Sequence, residues 1–265
     1  MKRDYKLSSI IIINLIAAFI SAIISKILGA DNNQNTITYI IASLLSLIIT
    51  TIAGFAIARG LLKNRMGSLG EYLDNVNFLN FKVFALVFVI SLISSAGLLS
   101  FLLTPIKNLT VNSLEKGSYL PINYIIALAI LTIFGAIYDI FTAYKFFVAA
   151  DKDQLSFGAL FKEVFVVGKD LFKKTLPTYI KLIILPAIIY IVILVSIISS
   201  QMTQYVVNST GGPASLGAIA FILVLSLAFL IYIFVASAIL QARLSNFYLD
   251  YIKDIPEIEA SIEGN

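Results

Sequence analysis

Six apolar stretches alternate with shorter polar stretches along the chain, at residues 10–28, 37–58, 81–103, 122–142, 178–200 and 216–237. Each stretch holds about 20 residues, the length that a helix needs to cross a hydrocarbon core of about 30 Å. Lipid offers no partner to a free backbone amide, so such segments must be helices, whose hydrogen bonds are internal. The pattern predicts an all-α fold: a polytopic membrane helical bundle of six transmembrane helices that form three helical hairpins.

The polar stretches predict short amphipathic helices at the cytoplasmic interface. We assign residues 1–249 to a single membrane domain that contains the six spans. Residues 250–265 form an acidic cytoplasmic tail, which we expect to be frayed and solvated beyond Pro256.

The composition agrees with a lipid environment and excludes several classes of protein. Of the 265 residues, 59% are hydrophobic and 13% are charged, whereas soluble domains carry roughly 25% charged residues. The chain has no cysteine and no histidine, which removes thiol nucleophiles, the commonest general base and the usual zinc ligands. A phosphate-binding P-loop motif is also missing from the sequence. We therefore expect a protein that is not an enzyme, with no catalytic residues, cofactor or metal, and without nucleic acid as a partner.

Lysine and arginine are distributed unevenly between the two sides of the predicted bundle. Of the 19 basic residues, only Lys26, Lys107 and Lys116 fall on one side, and the others fall on the side that holds both termini. Cytoplasmic loops of membrane proteins carry an excess of such residues. Together with the isoleucine- and lysine-rich usage, this predicts a multi-pass protein of the bacterial cytoplasmic membrane with both termini in the cytoplasm.

The first two spans carry matching ladders of small residues at a spacing of four. A spacing of four places each ladder on one helix face, where small side chains let two backbones approach closely. The ladders predict helix packing, and a substrate path along their hydroxyl groups is the open alternative. The members are Ala17, Ser21, Ser25 and Gly29 in the first span and Ser46, Thr50, Gly54 and Ala58 in the second.

The chain also shows a threefold order of features, in which a hairpin of two spans is followed by a basic residue and then by a serine. The serines are Ser68, Ser156 and Ser245, and we expect each to cap the start of a short helix. Ser68 and Glu71 have the spacing of a capping box.

The longest of these predicted short helices spans about residues 156–174 and has one apolar face and one lysine-rich face. It can lie in the headgroup layer, where each lysine near anionic lipid is worth about 1 kcal/mol. Alternatively, it packs under the bundle and its lysines only set the topology. The interface or coupling residues are Phe157, Phe161, Lys162, Val164, Lys169, Lys173 and Lys174.

Asp139 is the one carboxylate inside a predicted span. Such a charge is costly in lipid and usually faces the bundle interior or a water-filled cavity, so Asp139 is a candidate ion or proton site. The alternatives are a structural ion pair and an aspartate that reaches the interface. The candidate partners are Arg59, Lys181 and Arg243.

Pro186 lies inside the fifth span and has no backbone N–H. It is expected to kink that helix near Leu182.

Two resemblances follow from the stretch VAADKDQLSFGALFKEVFVVGKDLFKKTLPTYIKLIILP. It resembles six-span bacterial integral membrane families of unknown function, often mislabelled beta-carotene monooxygenases, and is similar to the membrane domain fused to some glycerophosphodiesterases. This resemblance implies a helical bundle in the cytoplasmic membrane and supplies no catalytic residues. Glu163, Gly168, Leu176 and Pro177 resemble the coupling loop of permease subunits of ABC transporters, in which a cytoplasmic helix docks on an ATPase.

The leading hypothesis is a non-enzymatic protein of the bacterial cytoplasmic membrane with a role in transport, envelope homeostasis or protection. Its partner is the lipid bilayer, with anionic lipids as candidate ligands. The alternative is a permease subunit of an ABC-type transporter that couples to a separate ATPase, or to another membrane subunit, through residues 156–174.

Overall fold

The computed structural model describes residues 4–29, 36–94, 133–207 and 216–263, and these residues form helices and connecting turns without any strand. The all-α prediction is confirmed. In chain order the helices are α1 (Leu7–Ile27), α2 (Thr36–Lys63), α3 (Leu69–Asp74), α4 (Phe81–Ile93), α5 (133–141), α6 (Lys145–Asp151), α7 (Phe157–Asp170), α8 (Phe172–Tyr179), α9 (Leu185–Val207) and α10 (Leu216–Glu263).

The chain is a multi-pass membrane protein. Among the described residues, the segments long and apolar enough to cross a membrane are Leu7–Ile27, Ile37–Lys63, Ile133–Asp151, Phe172–Leu194 and Ala220–Asp254. A sixth is added if Leu69–Phe78 and Phe81–Ile93, which meet at a bend of 104°, are counted as one broken span. Parts of the third and fourth predicted spans, residues 95–103 and 122–132, lie outside the described residues.

Two helices extend well past the ends of their apolar stretches. Helix α2 continues to Lys63, beyond the predicted end at residue 58, and α10 continues from the predicted end at residue 237 to Glu263. In α10 the added turns bury Ala238, Leu244 and Tyr248 against the rest of the protein. Hydropathy therefore marks the part of α10 that faces lipid, whereas protein packing stabilises the helix beyond it. The helix also runs through Pro256 to Glu263, and the expectation that the tail frays beyond Pro256 stays a prediction.

The packed core lies at one end of the bundle, which we call the basic end: the end of α2, helix α3, the start of α4, helices α6 to α8 and the second half of α10. The largest fully buried side chains include Phe55, Tyr72, Tyr144, Leu160 and Tyr248. Away from this end, apolar side chains of α9 and α10 are largely exposed, as expected of surfaces that face lipid: Ile188, Ile191, Val192, Leu223, Val224 and Leu227.

Two of the three predicted serine caps are present. The Ser68 hydroxyl accepts from the N–H of Glu71 at 3.4 Å, and the Glu71 carboxylate accepts from the N–H of Ser68 at 2.6 Å, which is a capping box at the start of α3. The Ser156 hydroxyl accepts from the N–H of Ala159 at 3.4 Å and caps α7. Both short amphipathic helices therefore begin where the sequence predicts.

The third predicted cap is wrong, because Ser245 lies inside the continuous helix α10. No glycine or turn sequence separates it from Arg243, so the helix is not interrupted there. The fully buried Ser245 hydroxyl instead accepts a hydrogen bond from Arg65 at 2.8 Å, and the Asn246 side chain accepts a second one at 2.7 Å. The threefold order of features is therefore complete in its first two copies and altered in the third.

At the basic end, side chains donate hydrogen bonds to backbone carbonyl groups of the connections between helices. The Lys82 ammonium donates to the carbonyl groups of Asp153 and Leu155 at 2.6 and 2.7 Å. The Tyr72 hydroxyl donates to the Arg65 carbonyl at 3.0 Å. Burial raises the pKa of Tyr72 to about 12, against an opposing effect of the Arg65 charge, so this hydroxyl keeps its proton at physiological pH. The two Lys82 bonds pair carbonyl groups of the α6–α7 connection, and the Arg65 carbonyl also accepts from the N–H of Lys6 at 2.9 Å.

Helix α7 packs its apolar face against the bundle. Leu160, Val164 and Val167 are fully buried, and Gly168 touches the backbone of Phe141 so closely that an added Cβ would overlap the Phe141 carbonyl oxygen. The lysines predicted to face a partner or lipid are all exposed: Lys162, Lys169, Lys173 and Lys174. The sequence left two alternatives for this segment, a position in the headgroup layer and packing under the bundle. The buried apolar face fits packing under the bundle.

We predict that Gly168→Ala destabilises the protein by about 1–3 kcal/mol or more, which is the cost of overpacking a filled core. The added methyl group would meet the backbone of Phe141, which cannot move aside as a flexible side chain could. The midpoint of thermal unfolding in mild detergent is the measurement. Gly158→Ala is the matched control in the same helix, since an added Cβ there meets nothing within 4 Å. Equal midpoints for the two variants would contradict this description of the contact.

The fifth predicted span departs from α-helical geometry close to the expected position. A π turn covers Ile180–Ile184, between α8 and α9. Pro186 cannot donate to the carbonyl of Leu182, four residues before it, and the Tyr232 hydroxyl of α10 donates to that carbonyl at 2.9 Å. A side chain from a neighbouring helix thus replaces the backbone donor that the proline removes.

We expect Tyr232→Phe to lower stability by about 1 kcal/mol, the net value of a typical hydrogen bond. The same change in a Pro186→Ala background should cost less, because an alanine at that position restores a backbone N–H that can donate to the Leu182 carbonyl. Unfolding midpoints of the four proteins give the coupling between the two positions. An equal loss in both backgrounds would show that Tyr232 does not compensate for the proline.

Candidate functional site

A turn at the end of the fourth predicted span places the intramembrane aspartate and a lysine at the same cavity. Helix α5 ends at residue 141, residues 142–144 form a turn, and α6 begins at Lys145. In an unbroken helix, residues six positions apart point about 120° away from each other. With the turn between them, Asp139 and Lys145 line the same cavity.

This cavity, which we call the charged cavity, has a volume of about 260 Å³. It lies between α2, the end of α4, the α5–α6 turn, Tyr179 and α10. Its polar groups are the side chains of Ser94, Asp139, Thr142, Lys145, Tyr179, Ser237 and Gln241. Among its described lining residues, one acid and one base carry formal charge, so the cavity is electrically neutral as a whole while holding both signs.

The two charges interact with each other and with the aromatic wall. Lys145 is half-buried and lies in the field of Asp139, and its ammonium is 5.5 Å from the centre of the Phe146 ring. The Tyr179 hydroxyl lines the same cavity as the two charges. A cation over a ring face is a stabilising arrangement.

The three cations that the sequence suggested for Asp139 do not line the charged cavity. The Arg59 guanidinium lies 4.1 Å above the Phe78 ring and donates to the Ala150 carbonyl at 3.2 Å. Lys181 and Arg243 are exposed. Sequence reasoning missed Lys145, and the signal that would have identified it is its position, six residues after Asp139 and just beyond the predicted end of this span.

The small-residue ladders serve more than one purpose in the structure. Ala17 and Ala58 are buried, and Gly54 lies so close to Phe146 that an added Cβ would overlap the aromatic ring. The hydroxyl of Thr50 donates to backbone carbonyls of its own helix, those of Ser46 and Leu47. Gly29 follows the end of α1 with a φ of 64°, a left-handed conformation that ends a helix. The remaining ladder residues, Ser21, Ser25 and Ser46, are half-buried.

The predicted coupling residues divide into a buried and an exposed group. Val164 is fully buried and Phe161 is half-buried, with its ring 5.1 Å from that of Phe165. Phe157, at 42% exposure, is the large apolar residue of this set that remains accessible, along with the four lysines. Glu163 pairs with Lys152 at 2.5 Å and so joins the middle of α7 to the residue that follows α6.

Within the part of the chain that the structure describes, no cluster of acidic residues could hold a metal ion. Comparison with protein-family models, with curated proteins and with solved structures finds no match for this chain. The resemblances drawn from the stretch around residues 148–186 therefore stay predictions.

Proposed function

We propose that this chain is a non-enzymatic protein of the bacterial cytoplasmic membrane that binds a small polar solute for transport. The observation that carries the proposal is the charged cavity, which holds Asp139 and Lys145 among hydroxyl and amide groups inside a membrane helical bundle. Ionisable groups inside membrane proteins are costly and mark substrate or ion pathways. Transport is therefore favoured over an envelope role that requires no internal polar site.

The chemistry of the cavity favours a zwitterionic solute. A single inorganic ion would gain from one of the two charges and be repelled by the other. An amino acid presents an ammonium and a carboxylate together, and both can be paired with Asp139 and Lys145 at once. A volume of about 260 Å³ is just below the usual range of pockets for drug-sized ligands, which suits a small amino acid.

The charge of the basic end also predicts how the protein is oriented in the membrane. The basic end carries most of the lysine and arginine residues, and such residues are retained on the cytoplasmic side. The charged cavity lies next to this end, beside α6. With both termini in the cytoplasm, the cavity is closer to the cytoplasmic face than to the outer face.

Coupling to an ATPase through α7 is less well supported. Docking by an apolar helix face requires that face to be available, and Leu160, Val164 and Val167 are fully buried within this chain. The exposed lysines on the other face suit contact with anionic lipid headgroups. A substitution such as Val164→Asp would thus disturb folding and would not report on docking.

We predict that at least one amino acid raises the thermal unfolding midpoint of the wild-type protein. Acetate, which carries only the negative charge, and methylammonium, which carries only the positive charge, should not raise it. A ligand at about 100 times its Kd stabilises by about 2.7 kcal/mol. Asp139→Asn and Lys145→Met should each abolish the shift, because each leaves one end of the zwitterion without its partner. The measurement is the midpoint of a fluorescent fusion protein in mild detergent, followed by size-exclusion chromatography.

The matched control is Asp254→Asn, the same carboxylate-to-amide change at an exposed position of α10, which should keep the full shift. Two results would overturn the proposal: no amino acid shifts the wild-type midpoint, or the shift survives in Asp139→Asn.

A further inference from the structure

A second cavity of about 300 Å³ lies next to the charged cavity. It is lined by α1, α2, Phe146 and α10, and its polar groups are the side chains of Asn14, Thr50, Ser237 and Gln241. None of its described lining residues carries a charge. We call it the amide cavity, after Asn14 and Gln241, whose side chains are joined by a hydrogen bond of 3.4 Å.

The two cavities are stacked along the bundle. On α2 the amide cavity is lined by Thr50 and Ala53 and the charged cavity by Ile57 and Ala58, with Gly54 common to both. Thr50 and Ala58 are eight residues apart, which is about 12 Å along a helix. Helix α10 gives the same order, with Ile233 and Phe234 at the amide cavity and Leu240 and Leu244 at the charged cavity. Since both helices run towards the basic end, the amide cavity is the one farther from it.

Phe146 lies at the boundary between the cavities. It lines both of them, together with Gly54, Ser237 and Gln241. Its ring is packed on Gly54, where a Cβ would overlap it, and the Lys145 ammonium is 5.5 Å from the ring centre. Of the four shared residues, Phe146 is the large apolar one, and the other three are glycine or polar.

We infer that the amide cavity is a second solute site on the same route and that the Phe146 side chain is the partition between it and the charged cavity. This inference depends on the proposed transport function. The amide cavity offers hydrogen-bond donors and acceptors without charge, so it holds a polar solute weakly, while the charged cavity holds both ends of a zwitterion. The phenyl ring is placed to separate the two sites because it lines both cavities and packs on Gly54 of α2, which also lines both.

The chain contains no cysteine, so single reporter cysteines can be placed in each cavity without a background. Ala17→Cys reports on the amide cavity and Thr142→Cys on the charged cavity, since each residue is buried and lines only that cavity. The probe is trimethylammonium-ethyl methanethiosulfonate, which does not cross membranes, added to inside-out vesicles whose outer surface is the cytoplasmic face.

Phe146→Ala should increase the modification rate of the cysteine at position 17 by about tenfold or more, each tenfold corresponding to about 1.4 kcal/mol of barrier. The cysteine at position 142 should be modified at a similar rate with and without Phe146. The matched control is Phe84→Ala, which removes an aromatic ring of α4 that lines neither cavity. It should leave both rates unchanged.

An unchanged rate at position 17 in Phe146→Ala would overturn the partition. If that variant does not fold, Phe146→Val carries the same expectation and the same refutation. The same cysteines distinguish a failure of the partition from a failure of the proposed transport function. An amino acid that protects the cysteine at position 142 keeps the charged cavity as a binding site even if position 17 is indifferent to Phe146, whereas a rate at position 142 that is unaffected by every amino acid counts against the proposed function itself.

Discussion

The approach of α7 to the backbone of Phe141 is the contact on which the basic end of this protein depends. Gly168 touches the Phe141 carbonyl directly, which no other residue type would permit. This contact fixes α7 against the point where α5 ends, and the turn at residues 142–144 follows immediately. Because of this turn, Asp139 and Lys145 line one cavity. The contact between α7 and the end of the fourth apolar stretch therefore lies directly beside the turn that places the two charges at one cavity.

The part of the fold that depends on hydropathy could be predicted from the sequence. Long apolar runs must be helical in lipid, and the serine caps of α3 and α7 have local signatures that the structure reproduces at Ser68 and Ser156. Ser245 has the same local signature and lies within a helix, because burial against Arg65 and the rest of the core decides its environment. Helices α2 and α10 extend past their apolar stretches for the same reason: hydropathy reports on contact with lipid and not on contact with protein.

The candidate site could be predicted only in part. Asp139 was identifiable because a carboxylate within an apolar span requires compensation. Its association with Lys145 was not, since it depends on a turn between the two residues that hydropathy does not reveal. Likewise, Gly54 belongs to a ladder that the sequence assigns to helix packing, but the group packed on it is the Phe146 ring, which belongs to a distant part of the chain. Pro186 was a clear sign of helix distortion, whereas its compensation by Tyr232, 50 residues away from Leu182, required the tertiary structure.

We propose that the charged cavity binds the zwitterionic solute that this protein transports across the membrane. Counterflow in liposomes tests it most directly: vesicles that contain the purified protein are loaded with unlabelled amino acids and placed in a trace of the labelled mixture. We expect transient accumulation of label with the wild-type protein and none with Asp139→Asn, because exchange requires both charges of the solute to be paired. Equal label in vesicles with the wild-type protein and in vesicles without protein would contradict the account.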